Sequence, residues 1–223
     1  MSPVLAMRLV SYRYAGADSP ALAELDFEVN GGELIAVTGP VGAGSSTLLM
    51  VAGGYAPRLI GGELGGERLL AAERPAIVFA TPWTQITGLC RSVFAEVAFG
   101  PASLGWPEPL VRSAARDALA WMGITHLAER DPAQLSGGEM QRVVVASALA
   151  MGPDLLLLDD PAAELDPLAA NSLYELLGRL AGRGAAIMVA TPDLDRARRV
   201  ATRALRLETG RVVADGPAAQ VLG

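Results

Sequence analysis

Leu135-Ser136-Gly137-Gly138-Glu139-Met140-Gln141-Arg142, followed by Leu155-Leu156-Leu157-Leu158-Asp159-Asp160-Pro161, decides the fold of this 223-residue chain. The first run predicts a helix over Ser136–Met151, entered through the Gly137-Gly138 pair. The second is a short, wholly apolar strand that ends in acid, the pattern of a strand buried on both faces. A buried strand directly after a helix belongs in an α/β sheet with helices on its faces.

Upstream, the apolar strand Leu34–Thr38 runs into Gly39-Pro40-Val41-Gly42-Ala43-Gly44-Ser45-Ser46-Thr47, with a helix predicted from Ser46 onward. Small residues between a strand and a helix let backbone N–H groups converge on phosphate oxygens, and the helix N-terminus adds partial positive charge. The phosphate-loop pattern G-x-x-x-x-G-K-[ST] fits at every position except the lysine, which is Ser45. Taken alone, a tight strand–helix turn explains these glycines as well as phosphate binding does.

The remaining elements follow from periodicity and turn signals. Strands are predicted at Met7–Tyr14, Leu25–Val29, Pro75–Phe79 and Ala186–Thr191, with a short strand pair over Gly61–Leu70. A helix bounded by Pro109 and Gly123 carries an apolar stripe of Leu110, Ala114, Ala118 and Met122. Another carries Leu173, Leu176, Leu177 and Leu180. Asp193–Arg199 reads as helix, and Leu205–Leu207 with Val212–Ala214 as a hairpin. The chain is expected to be a single α/β domain over 1–223 with a largely helical insertion near 90–135.

Composition narrows the function. The net charge of −6 and the lack of any basic run argue against a nucleic-acid surface. Cys90 is the single cysteine, so no disulfide framework or multi-cysteine metal site is expected, and a cytosolic setting is the default. No signal peptide is read at the N-terminus. The most apolar stretch, Val143 to Leu158, is broken by Gly152-Pro153-Asp154 and falls short of the roughly 20 residues a spanning helix needs. A role at a membrane therefore requires docking onto a membrane protein. All 18 basic side chains are arginine, and His126 is the single histidine.

In order and spacing, Leu135–Arg142 and Leu155–Pro161 resemble the signature and Walker B motifs of ATP-binding-cassette (ABC) nucleotide-binding domains. Leu165-Asp166-Pro167 is similar to the family's D-loop, and Gly210–Gly216 to its C-terminal strand turn. With the glycine loop these motifs stand in register over nearly the whole chain. The resemblance implies a P-loop NTPase core sheet, an antiparallel β-subdomain and a helical subdomain. It implies ATP and Mg²⁺ as cofactors: Gly39, Gly42, Gly44, Ser45, Ser46 and Thr47 around the phosphates, Tyr14 stacked on adenine, Ser46 on the ion and Asp159 holding the ion's water shell. A half-buried strand aromatic is the plain alternative for Tyr14. In the family, Ser136, Gly137, Gly138 and Glu139 would close on ATP held by a second subunit.

The catalytic positions depart from the pattern. Ser45 replaces the lysine, Asp160 stands where the catalytic glutamate is expected, Ala80 aligns with the Q-loop glutamine, and Pro192 takes the place of the switch histidine in Thr191-Pro192-Asp193-Leu194. Gln85, five residues on, is the alternative for that glutamine, but the segment similar to V-F-Q-N-P fixes the register on Ala80, and His126 precedes the signature. Coupled groups lost together should abolish turnover. The expectation is a degenerate subunit that pairs with a competent ATPase as a heterodimer and lends it the signature motif. The segment from Thr81 through Gly100 resembles energy-coupling-factor ATPases, which implies an ATP-driven transporter. A coupling helix from its transmembrane subunit would dock near Ala80–Leu89, with the chain peripheral on the cytoplasmic face of the cell membrane. Trp83, Ile86 and Leu89 are candidate contacts, or else pack internally. A non-transport cassette in a soluble complex is the alternative.

Overall fold

The computed structural model describes residues 3–223. Three strands, β1 (Leu5–Arg13), β2 (Leu22–Val29) and later β4 (Glu63–Leu70), form an antiparallel sheet in the order β2-β1-β4. Between them the chain lays down β3 (Leu34–Thr38) and α1 (Ser45–Ala52). A larger sheet is completed by β5 (Pro75–Val78), β6 (Leu155–Asp159), β7 (Ala186–Ala190), β8 (Arg203–Glu208) and β9 (Arg211–Pro217), in the order β5-β6-β7-β3-β8-β9. β6, β7, β3 and β8 run parallel, and β9 returns antiparallel on β8. Leu34–Val37, Leu155–Leu158 and Ala186–Ala190 are all buried, as runs of apolar residues in a sheet covered on both faces must be.

The helices are α2 (Val93–Ser103), α3 (Glu108–Trp121), α4 (Gly137–Ala150), α5 (Pro167–Gly182), α6 (Leu194–Val200) and α7 (Ala218–Val221). The chain divides into two compact units. One comprises the described residues up to Ile77, with Asp154–Asp160 and Leu177–Gly223; the other comprises Val78–Pro153 and Pro161–Leu176. In the second unit α2, α3 and α4 pack on one another. Among the described residues no helix is long and apolar enough to cross a membrane.

Two sequence expectations are corrected. Gly61–Leu70 is not a strand pair: Gly61-Gly62 turns the chain, and β4 then pairs along β1 from Arg13↔Glu63 to Leu5↔Leu70. Gly65-Gly66 runs on within β4 at a register shift where Leu9-Val10 of β1 face Gly66 alone, so the bulge lies in β1 and no hairpin turn forms. On α3 the buried face is Val111, Ala115, Ala118, Leu119 and Met122, while Leu110 is 57% exposed. Ala118 and Met122 lie on the expected stripe, whereas nearer the start Val111 and Ala115 take the buried face instead of Leu110 and Ala114, because a 3.6-residue repeat drifts from four-residue spacing.

α1 has no basic residue in its last turn, yet its C-terminus is not left bare. From β4, the half-buried Arg68 guanidinium donates to the Val51 carbonyl at 2.9 Å and the Ala56 carbonyl at 3.2 Å. A cation there meets the negative end of the helix. Arg68→Met, which keeps the apolar stem, is expected to lower unfolding free energy by about 1–2 kcal/mol, read as a shifted urea midpoint with unchanged slope.

Candidate functional site

Parallel strands end together, and the crevice beyond their carboxyl ends is the natural ligand position in such a sheet. Here the ends of β3, β6 and β7 surround a cavity of about 460 Å³, lined by Gly39–Thr47, Asp159, Asp160, Thr191 and Pro192. Two glycines fix the loop. A methyl group on Gly39 would stand 2.3 Å from the Leu207 carbonyl oxygen, so the loop can cross β8 only without a side chain. Gly44 takes φ +102° as the N-cap of α1, and no side chain caps the helix. The first-turn N–H groups of α1 therefore have no side-chain acceptor and suit an incoming anion.

The cavity gathers Gly39, Gly42, Gly44, Ser45, Ser46, Thr47, Asp159, Asp160 and Pro192 in one place. Tyr14 does not line it. Its ring meets Tyr12 edge-on, with centroids 4.9 Å apart and planes at 79°, and its hydroxyl shares a 2.9 Å hydrogen bond with Thr47 Oγ1. Thr191 Oγ1 accepts the Asp193 N–H at 3.0 Å, and Asp193 caps α6 and pairs with Arg196. Sequence reading missed this arrangement, although an Asp directly before a helical run is a cap signal.

The electrostatics are one-sided. Asp159 and Asp160 line the cavity, and no arginine does. Burial raises the Asp159 carboxyl above the usual value, partly offset by its hydrogen bond with Ser46. Burial also raises Asp160, with further contributions from Asp159 and Asp193. Asp160 holds a left-handed backbone, φ +41°, while its N–H donates to the Ala190 carbonyl at 2.8 Å. A triphosphate alone would meet two carboxylates here. The hydroxyl of Ser46 beside the Asp159 carboxylate is a hard-oxygen pair that fits Mg²⁺, so the residues present fit a metal–nucleotide complex better than a free nucleotide.

The sign of the Asp159 effect on stability is fixed by its shift. The stability tied to its proton is complete below the ordinary aspartate value of 3.8 and is lost as pH climbs through the raised one. At neutral pH the half-buried carboxylate works against folding. Asp159→Asn is expected to raise the melting temperature of the nucleotide-free chain at pH 7 and to remove its response to MgATP. A variant that kept that response would contradict the ion assignment.

The second unit carries the other sequence-derived positions. Ser136 caps α4 in a reciprocal box with Glu139: the Ser136 N–H and hydroxyl each donate to Glu139 Oε2 at 2.9 Å, and the Glu139 N–H reaches Ser136 Oγ at 3.4 Å. These bonds, led by the Ser136 N–H, hold the Glu139 carboxyl below its usual value, and Arg130 pairs with it at 3.1 Å. Gly137 and Gly138 open the helix beside Glu164, a neighbour the sequence reading did not register. Its only signal was a carboxylate placed just before Leu165-Asp166-Pro167.

Ala80 offers no polar group. Gln85 Oε1 accepts the Phe79 N–H at 2.7 Å and so closes the loop on itself. The short turn Pro82–Thr84 packs on α4. Trp83 is 60% and Leu89 77% exposed, so neither packs internally, whereas Ile86 is half-buried. Behind them the buried Glu96 accepts from the Thr87 N–H and hydroxyl, both at 2.7 Å, and shapes the loop that presents Leu89.

Comparison with known proteins agrees with this geometry. The family model described as ABC transporter matches residues 22–163. The nickel import ATP-binding protein NikO of Rhodobacter capsulatus is 38% identical over 100% of this chain and 92% of its own length. The energy-coupling factor transporter ATP-binding protein EcfA of Methanothermobacter thermautotrophicus is 34% identical over 96% of this chain and 70% of its own. Among solved structures, cbiO1 from Clostridium perfringens, described as part of the ABC transporter complex cbiONQ, superimposes with a TM-score of 0.84. It is 28% identical, over 99% of this chain and 91% of that one.

Proposed function

The chain belongs to the ABC transporter family, and we propose that it is the catalytically silent ATP-binding subunit of an energy-coupling-factor-type importer, acting as one cassette over 1–223. The observation that carries this reading is the cavity itself: a phosphate-shaped loop whose lining holds two carboxylates and no cation. Gly42, Gly44 and the start of α1 hold the phosphates, and Ser46 and Asp159 orient the ion. Bound Mg²⁺ supplies charge neutralisation for the phosphates. Binding is weaker than in a lysine-bearing loop, because no point charge replaces the lysine.

Nothing in the cavity activates water. Asp160 is one methylene shorter than glutamate, Pro192 has neither proton donor nor acceptor on its side chain, and Ser45 carries no charge. Turnover therefore belongs to a second, competent ATPase subunit, whose ATP would close onto Ser136, Gly137 and Gly138 of this chain. The exposed Trp83 and Leu89 suit a docking surface for a transmembrane subunit, which would hold the chain peripherally on the cytoplasmic face of the membrane. The purified chain is expected to release no phosphate from MgATP above background, and activity is expected to appear on adding the co-purifying ATPase. Robust hydrolysis by the chain alone would overturn the proposal.

A further inference from the structure

At the start of α4, Glu139, Arg142 and Asp166 each have a partner. Glu139 is held by Ser136 and paired with Arg130. Arg142 donates to the Gly138 carbonyl at 3.4 Å, and the Asp166 carboxyl is lowered by the Ala169 N–H first, then by the Leu168 N–H and Arg142. Glu164 is exposed and makes no ion pair among the described residues. Its position is set by the glycines: a methyl group on Gly137 would stand 2.8 Å from Glu164 Oε2, and one on Gly138 would stand 2.8 Å from the Glu164 carbonyl oxygen. An unmatched carboxylate thus flanks the helix start that a partner's nucleotide would approach.

An independent observation lies in the other unit. The cavity that would face such a helix start in a second copy holds Asp159 and Asp160, with Ser45 in place of a cation. Two copies of this chain, paired head to tail, would set Glu164 of one against the two aspartates of the other, with an anionic nucleotide between them. That alignment places like charges opposite each other twice.

Resting on the shared-site reading above, we infer that the nucleotide face of this chain rejects a second copy of itself and selects a cassette with a cationic phosphate loop, Glu164 being the residue that takes the cation. Glu164 is a specificity-determining residue and does not touch the reacting atoms. It penalises the self-paired dimer and finds its match opposite a lysine or arginine.

The test is self-association of the full chain in MgATP, followed by sedimentation velocity at low and high salt. The wild-type chain is expected to stay monomeric. Glu164→Lys is expected to form a dimer about ten-fold or more tighter, dependent on MgATP and weakened by salt, with Glu164→Gln in between. Circular dichroism and melting curves check that all three fold alike. Wild-type dimers as tight as those of Glu164→Lys, or three indistinguishable chains, would overturn the inference. A second arm adds each chain to the co-purifying competent ATPase, where Glu164→Lys should stimulate less than wild type. Equal stimulation removes the inference and leaves the shared-site reading standing; no stimulation by any chain removes that reading as well.

Discussion

Gly138→Asp is expected to cut ATP turnover by the proposed pair with a competent ATPase about 10²–10³-fold, the scale seen when one placed hydrogen-bond donor is lost from a reacting anion. Two effects combine at this residue. The new Cβ would meet the Glu164 carbonyl oxygen at 2.8 Å, so the turn into α4 must shift. The new carboxylate would then occupy the end of the helix where an anion is favoured. Loss of stability should stay near the 1–3 kcal/mol of a local steric insertion, so the chain remains folded and assembled. Phosphate release by the reconstituted pair, set beside the melting curve of the variant chain, separates the two. Turnover within two-fold of wild type would show that α4 does not contribute to the working site. The converse experiment is also informative. Pro192→His alone should restore nothing to this chain's own site, because Ser45, Ala80 and Asp160 remain and such groups act as a unit.

Leu157→Ala should be the most damaging single truncation in the core of the parallel sheet. Leu157 is fully buried on β6, pairs with Met188 of β7, and packs so closely under the end of α1 that a methyl group on Gly53 would stand 2.7 Å from its Cδ1. Removing buried methyls there costs about 2–5 kcal/mol, since neighbours held by a sheet cannot collapse into the space. For a chain of this size a 3 kcal/mol loss lowers the melting temperature by roughly 6–12 °C. The effect reaches the site, because β6 places Asp159 and α1 places Ser46, and the truncated side chain lies between those two elements. The variant should lose MgATP protection in excess of its stability loss. A melting point within about 2 °C of wild type would mean that the sheet repacks, contrary to this account.

What sequence alone disclosed followed from how local each determinant is. β3 and β6 were placed to the residue, because an unbroken apolar run between glycine or proline and an acid leaves no other pairing. The Gly61–Leu70 segment is not legible on its own, since whether Gly65-Gly66 turns or runs on as strand depends on β1, a strand remote in sequence. On α3, alanines mark a helix face weakly: Ala118 and Met122 face the core as expected, but Val111 and Ala115 do so in place of Leu110 and Ala114. Within the site, the loop residues and the two aspartates are legible because the loop follows the end of β3 and the aspartates the end of β6. The bond between Tyr14 and Thr47 and the approach of Glu164 to Gly137 are not. Each needs two distant segments folded together before the contact exists.

The order of strands has a consequence for synthesis. β3, which leads into the phosphate loop, has no neighbour in sequence: Leu34 pairs with Ile187, and Ile35 with both Met188 and Arg203. On the ribosome, the loop emerges early but its strand stays unpaired until β7 and β8 have left the exit tunnel. A nascent chain stalled before Ala186 therefore displays an apolar, edge-exposed Leu34–Val37 with nothing to cover it, which invites chaperones and aggregation. Nucleotide cannot rescue such an intermediate, because the crevice that would hold it is completed only by Thr191 and Pro192, which follow β7.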